Sequence, residues 1–252
     1  SMTSRLIRLA AALGVSLLIA PAGAQDKVLN LYSARHYQTD EVMYDTFTKT
    51  TGIRINRVDA DDAGIVARLR ADGAASPADV VLLVDAARMA AADAQGLFQP
   101  IKSKKLDDTI PATLRAAPTA DGVTWTGFST RARIVIYDPA RVKAEDVATY
   151  EQLADPKLKG LLCTRSGSHP YNMSLFATVV ERLGDQKGEA WLKGLVDNQA
   201  RAPKGGDTDQ IRGVASGECG VAIANSYYMA RILKSDKPED KAVAAKVKVV
   251  FP

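Results

Sequence analysis

The chain has only two histidines, and each lies beside a tyrosine. A third short segment contains two adjacent tyrosines. The three segments are His36-Tyr37, His169-Pro170-Tyr171 and Tyr227-Tyr228. Aromatic residues make up 6% of the chain, so a hydrophobic core would not require phenols and imidazoles to be grouped in this way. A phenolate oxygen is a hard, anionic donor, and a small, highly charged cation favours several such donors at once. The donor set therefore indicates a ferric ion, Fe(III).

The protonation of tyrosine decides how such a site would behave. A free tyrosine has a pKa of about 10 and is neutral at pH 7. A bound trivalent cation stabilises the phenolate directly, so metal binding would release protons and affinity would fall in acid. A fifth ligand, either His36 or water, could complete the coordination. Nearby arginines could compensate the phenolate charge or hold a small anion such as carbonate: they are Arg35, Arg131, Arg133 and Arg165.

The first 24 residues have the pattern of a secretory signal peptide. Arg5 and Arg8 precede an apolar stretch at 9–20, and Ala22-Gly23-Ala24 offers small residues for cleavage after about Ala24. No other segment reaches the roughly 18 apolar residues of a membrane span. We therefore expect an exported, soluble protein, with an uncleaved N-terminal anchor as the alternative.

Charge and cysteine content exclude some classes and leave others open. The formal charge is +4, and no basic stripe is interleaved with aromatic residues, so nucleic-acid binding is not expected. Cys163 and Cys219 are the only cysteines. An even count in an exported protein permits one disulfide. Two buried free thiols are the alternative.

The hydrophobic pattern predicts alternating strands and helices. In the first part of the chain, strands at 28–32, 53–58 and 79–84 are separated by helices, which is a βαβαβ order typical of a parallel, doubly wound sheet. A second series follows, in which 235–241 is expected to be a charged loop. Its predicted strands are 123–128, 133–137, 160–164, 220–224 and 247–251, and its predicted helices are 172–183, 188–199, 209–216 and 229–234.

The three tyrosine segments occupy equivalent places in this pattern. Each follows the carboxyl end of a predicted strand and precedes a predicted helix. Ligands bind at such ends in open α/β sheets. Two sheets facing each other would form a cleft, with Tyr37 on one side and Tyr171, Tyr227 and Tyr228 on the other.

These residues carry a resemblance to periplasmic ferric-ion-binding proteins, the soluble receptors of ABC iron importers. The resemblance covers most of residues 28–252, and its motifs run in the family's order and spacing. The matching segments are 32–37 (YSARHY), 130–133 (TRAR), 165–172 (RSGSHPYN), 205–207 (GGD) and 225–228 (NSYY).

The resemblance implies a two-lobed α/β fold of the type II-like periplasmic binding proteins, each lobe a mostly parallel sheet flanked by helices. It implies a first lobe at 25–124, to which 245–252 returns, and a second lobe at 125–244. Members of the family continue beyond Pro252, so the C-terminal part of the family fold is expected to be missing.

The resemblance also assigns roles to residues. Tyr37, Tyr171, Tyr227 and Tyr228 match the iron-ligating tyrosines, and His36 matches a first-lobe histidine that is either a ligand or a hydrogen-bond donor. Arg35 and Arg131 match positions near a synergistic anion, and Arg133 and Arg165 are expected beside them. His169 is expected to be structural or to support the ligands from behind. The pattern is that of the all-tyrosine type.

The implied function is transport rather than catalysis. The resemblance predicts a periplasmic protein that delivers iron to an inner-membrane ABC permease, monomeric unless a missing C-terminal segment leads to a swapped or associated dimer. One alternative is a protein of the same fold that binds an organic or anionic solute, although Trp125 and Trp191 do not lie near the tyrosines. Another is an enzyme with Cys163 and His169 as a nucleophile pair.

Overall fold

The computed structural model describes residues 26–252. The predicted signal peptide at 1–24 lies outside the described residues. Strands and helices alternate along the described part, and none of its helices is both long and apolar enough to cross a bilayer. The α/β fold class predicted from the sequence is confirmed.

The first part of the chain forms a three-stranded parallel sheet with its earliest strand in the middle. Its elements are β1 (Val28–Ser33), α1 (Asp40–Thr51), β2 (Arg54–Asp59), α2 (Asp62–Asp72), β3 (Val80–Leu82), α3 (Ala86–Ala94) and α4 (Lys104–Thr109). Gly52 ends α1 in the left-handed conformation that favours glycine, with φ 71°. The carboxylates of Asp61 and Asp85 accept backbone N–H groups at the starts of α2 and α3.

The second part forms a mixed, four-stranded sheet. Its elements are β4 (Arg133–Tyr137), β5 (Leu162–Cys163), α5 (Pro170–Leu183), α6 (Asp185–Asp197), α7 (Asp207–Ala215), β6 (Val221–Asn225), α8 (Ser226–Lys234), α9 (Pro238–Lys246) and β7 (Lys248–Val250). The strand order is β5-β6-β4-β7, and β4 runs antiparallel to both of its neighbours while β5 and β6 are parallel. Every residue of β6 is buried, because helices cover both faces of this strand.

Three predictions about individual elements are wrong. Residues 123–128 form no strand, because Val123 and Thr126 make single bridges to different partners and no continuous ladder results. Residues 235–241 are not wholly a loop, because α9 begins at Pro238, with acidic residues in its first turn. The final strand does not return to the first sheet: β7 pairs with the free edge of β4, with Val250 opposite Val135.

Clusters of buried hydrophobic side chains pack against both sheets, and a disulfide also stabilises the second sheet. Cys163 at the end of β5 is bonded to Cys219 before β6, and both are fully buried. The disulfide permitted by the sequence is therefore present, and Cys163 has no thiol to serve as a nucleophile. We call β1–β3 with α1–α4 the first lobe, and β4–β7 with α5–α9 the second lobe, to which we also assign residues 131–132, which lead into β4.

Candidate metal centre

Three tyrosine hydroxyls from distant parts of the chain meet at one point between the lobes. The hydroxyl oxygen of Tyr37 lies 3.1 Å from that of Tyr171 and 2.8 Å from that of Tyr227. The hydroxyl oxygens of Tyr171 and Tyr227 are 3.1 Å apart. We call this arrangement the hydroxyl triangle. One of its corners belongs to the first lobe and two belong to the second.

Each corner is positioned by the junction of a strand and a helix. Tyr37 lies in the short link between β1 and α1, whereas Tyr171 and Tyr227 are each the second residue of a helix. Pro170 begins α5, where its missing N–H costs nothing and its fixed φ suits the first turn. Tyr227 follows β6 after a single residue, so the buried strand fixes the start of α8.

The fourth tyrosine, Tyr228, is hydrogen-bonded to His36 and not to the hydroxyls of the triangle. The hydroxyl oxygen of Tyr228 lies 3.3 Å from Nε2 of His36, and its ring packs against that of Tyr227 with centroids 4.4 Å apart. Burial of its ring lowers the pKa of His36, and the positive charge of Arg231 lowers it further. The imidazole is thus neutral at pH 7 and has a lone pair that can bind a metal or accept a proton.

Burial also controls the protonation of the triangle. Burial raises the pKa of the Tyr171 phenol, and its hydrogen bonds to Tyr227 and Tyr37 raise it further. Burial likewise raises the pKa of Tyr227. Both phenols are therefore protonated at neutral pH. A cation bound by their oxygens would have to displace these protons.

Guanidinium groups surround the ring of Tyr171. The central carbons of Arg131, Arg165 and Arg133 lie 4.8, 5.2 and 5.7 Å from its centroid. Cations at these distances are attracted to the face of an aromatic ring. They would also stabilise a phenolate at Tyr171, because the site excludes much of the surrounding water.

A single buried carboxylate organises two of these arginines. Asp207, at the start of α7, accepts hydrogen bonds from Arg133 at 2.7 Å and from Arg165 at 3.2 Å. It also accepts the backbone N–H of Asn225 at 2.7 Å, at the end of β6. Arg133 donates in addition to the side-chain oxygen of Asn172 at 2.6 Å. Asp207 therefore fixes both the arginines behind Tyr171 and the strand end that leads to Tyr227.

The other arginines predicted from the sequence are held by the first lobe. Arg35 forms a two-pronged ion pair with Asp40, at 2.6 and 3.0 Å, and lies 4.7 Å from the ring centroid of Tyr37. Arg131 reaches across from the second lobe to the carboxylate of Asp85 at 3.1 Å. Both guanidinium groups remain next to triangle tyrosines while being paired with carboxylates.

His169 supports Tyr171 from the backbone. Its Nδ1 accepts the N–H of Tyr171 at 3.2 Å and so caps α5. Burial and the charge of Arg165 lower the pKa of His169 to about 4, so the ring is neutral and able to accept this bond at pH 7.

Sequence reasoning missed three contributors to the site: Arg231, Asp207 and Asn172. Arg231 lies 5.6 Å from the ring centroids of both Tyr227 and Tyr228. Its spacing of three and four residues from these tyrosines on one helix was a usable signal, because such positions share a helix face. Asn172 and Asp207 lie in segments that carry the resemblance, but their roles depend on contacts between distant parts of the chain.

A cavity of about 580 Å³ opens beside the triangle on the side of the first lobe. Its lining includes Arg35, His36, Tyr37 and several carboxylates. A second cavity, of about 540 Å³, is lined by residues between 101 and 123 and shares no lining residue with the first. Residues 26–252 contain no group of three or more His, Cys, Asp or Glu side chains arranged to hold a metal.

Comparison with known proteins finds sequence relatives over most of the chain. The sequence profile of bacterial extracellular solute-binding proteins matches residues 42–252. Iron uptake protein A1 of Synechocystis is 46% identical over 234 residues, which is 93% of this chain and 64% of that protein. The Major ferric iron-binding protein of Neisseria meningitidis is 27% identical over 205 residues, covering 79% of this chain and 59% of that protein.

Solved structures with similar sequences also match the fold of the chain. The Trichodesmium protein IdiA (FutA), in complex with iron and citrate, has a TM-score of 0.80 and 46% identity over 89% of this chain and 70% of that one. The ferric binding protein from Campylobacter jejuni has a TM-score of 0.81 and 36% identity, with the same coverage. The chain thus spans about two thirds of the length of these relatives.

Proposed function

Because this chain belongs to the family of bacterial extracellular solute-binding proteins, we propose that it captures Fe(III) between its two lobes for delivery to an ABC-type importer. The observation that carries the proposal is the hydroxyl triangle, in which three phenol oxygens lie within 3.1 Å of one another. Iron-binding relatives of the same fold support it.

The proposed ligands are the oxygens of four tyrosines and the imidazole of His36. The tyrosines are Tyr37, Tyr171, Tyr227 and Tyr228. Tyr228 and His36 are hydrogen-bonded to each other, and their rings pack against those of Tyr227 and Tyr37, with centroids 4.4 Å apart in each pair. One copy of the chain supplies all five groups, and a monomer is therefore the proposed binding unit.

Charge balance supports a trivalent ion. Four phenolates exceed the charge of Fe(III) by one, and the arginine groups around Tyr171, Tyr37 and Tyr227 offset the excess. A synergistic anion such as carbonate would add negative charge, and Arg35 and Arg131 would have to share their pairing with Asp40 and Asp85 in order to bind it. The citrate in the Trichodesmium complex supports an anion sharing such an ion.

The proposed place of action is the periplasm, reached through a signal peptide cleaved near Ala24. An inner-membrane permease is the proposed recipient of the iron. We propose a lobe boundary near residues 124 and 125, in the irregular segment that precedes β4.

Colour provides the direct test, because tyrosinate bound to Fe(III) absorbs visible light. Purified protein titrated with ferric citrate at neutral pH should develop a visible band. The double substitution Tyr227→Phe and Tyr228→Phe should abolish the band and leave the circular dichroism spectrum unchanged. Tyr137→Phe is the matched control, because this buried tyrosine lies in β4 and belongs to the core of the second lobe. A colourless wild type, or a double variant that binds iron like the control, would refute the proposal.

A further inference from the structure

The two lobes are joined by a second set of polar contacts, at the end of β3. The carboxylate of Asp85 in the first lobe accepts the hydroxyl of Ser174 at 2.7 Å and a guanidinium N–H of Arg131 at 3.1 Å, both from the second lobe. Arg131 also donates to the backbone carbonyl of Val84. The Asp85 side chain is only 8% exposed, so water screens these contacts weakly.

Both partners of Asp85 are neighbours of Tyr171. Ser174 lies three residues after Tyr171 on α5, and therefore on the same helix face. Arg131 lies over the Tyr171 ring. The ring itself is buried in the apolar cluster of the first lobe, together with Leu83 and Val84. The position of Tyr171 relative to the first lobe is thus tied to Asp85 from two sides.

We propose that Asp85 is a positioning residue that fastens the second lobe to the first and holds the Tyr171 hydroxyl within reach of Tyr37. The role of this contact in iron retention rests on the proposed function. Its role in lobe closure does not, because the contact forms between protein groups alone. Ion capture then begins from lobes that are already joined on one side, and ion release requires Asp85 to part from Arg131 and Ser174.

Asp85 also caps a helix within the first lobe, and the test must distinguish this role from the contact between the lobes. Its carboxylate accepts the N–H of Ala87 at 2.8 Å and so caps α3. Asparagine caps helices about as well as aspartate, so Asp85→Asn keeps the cap while removing the charge that pairs with Arg131. Asp155→Asn is the matched control, because Asp155 caps the 3-10 turn at Pro156–Leu158 and its hydrogen bonds remain within the second lobe.

Small-angle X-ray scattering of the iron-free proteins measures closure directly. We expect a larger radius of gyration for Asp85→Asn than for the wild type, and no change for Asp155→Asn. Ser174→Ala, which retains the cap and the ion pair, should shift the radius in the same direction by a smaller amount. Asp85→Glu retains the charge and should restore much of the closed form.

Iron retention is the second readout. The rate at which a chelator removes Fe(III), followed by the visible band, should rise about tenfold in Asp85→Asn and remain unchanged in Asp155→Asn. A purely structural role would lower the melting temperature without changing either the radius or the release rate. The proposal is overturned if Asp85→Asn matches Asp155→Asn in scattering. A colourless wild type would instead refute the iron-binding function, and the scattering comparison would still decide the role of Asp85.

Discussion

The substitution Asp207→Asn should destabilise the second lobe strongly. The Asp207 side chain is completely buried, and its two ion-pair partners, Arg133 and Arg165, are only 8% and 16% exposed. Burial already lowers the pKa of Arg133, which shows how little water reaches its charge. Asparagine would leave two buried cations without their counter-ion. Removing one partner from such a pair costs about 3–5 kcal/mol.

For a chain of this size, that cost corresponds to a fall in melting temperature of about 6–20 °C. Thermal unfolding followed by circular dichroism, without iron, measures it. Asp197→Asn is the control, because Asp197 pairs with Lys193 on the exposed face of α6 and should change stability by less than about 1 kcal/mol.

A second substitution tests the electrostatic origin of the effect. Adding Arg165→Met to Asp207→Asn removes one of the uncompensated cations, so the double variant should be more stable than Asp207→Asn alone. A melting temperature for Asp207→Asn within about 2 °C of the wild type would refute the reasoning. The reasoning would also be refuted if Arg165→Met destabilised the Asp207→Asn protein as much as it destabilises the wild type, because the two effects would then simply add.

Three further predictions follow from the structure. Replacing Cys163 and Cys219 by alanine should lower the free energy of unfolding by about 4 kcal/mol, because the disulfide closes a loop with a sequence separation of 56 residues; a urea midpoint equal to that of the wild type would contradict this. Burial raises the pKa of Asp62 above its ordinary 3.8, so the native state holds this proton more tightly and stability is lost as pH rises through the raised pKa. Asp62→Asn should lack this loss, and urea denaturation at about pH 4 and about pH 7 checks the difference. Fe(III) binding should displace the protons of Tyr171 and Tyr227, so affinity should increase by about two powers of ten or more per pH unit as pH rises; chelator competition that gives a slope below about one would contradict it.

Local patterns in the sequence predicted much of the fold because strands and helices alternate with clear stops. The glycine at 52 and the aspartate at 61 mark a helix end and a helix start that the structure contains. The sheet to which the last strand belongs could not be predicted in this way. Residues 248–250 have no local feature that distinguishes one sheet from the other, and their pairing with β4 depends on which strand edge is free.

The tyrosines of the site could be proposed from sequence because they share a position relative to the strands. Their convergence to within 3.1 Å could not be read from that position, because it depends on how the lobes meet. Asp62 shows the same limit. An aspartate at a helix start is usually solvated, yet the carboxylate of Asp62 is buried and accepts a hydrogen bond from the N–H of Val84.

The three hydroxyls of the triangle satisfy one another's hydrogen bonding, because each oxygen lies within hydrogen-bond distance of the other two. A cation that binds there must break these hydrogen bonds and displace the hydroxyl protons. Only a cation that polarises oxygen strongly offsets the free energy of both steps. Ions of low charge density, such as Na⁺ or Ca²⁺, stabilise a phenolate much less. If the triangle binds metal as proposed, the hydrogen bonds among its three hydroxyls would therefore select for charge density, even where every candidate ion fits the space.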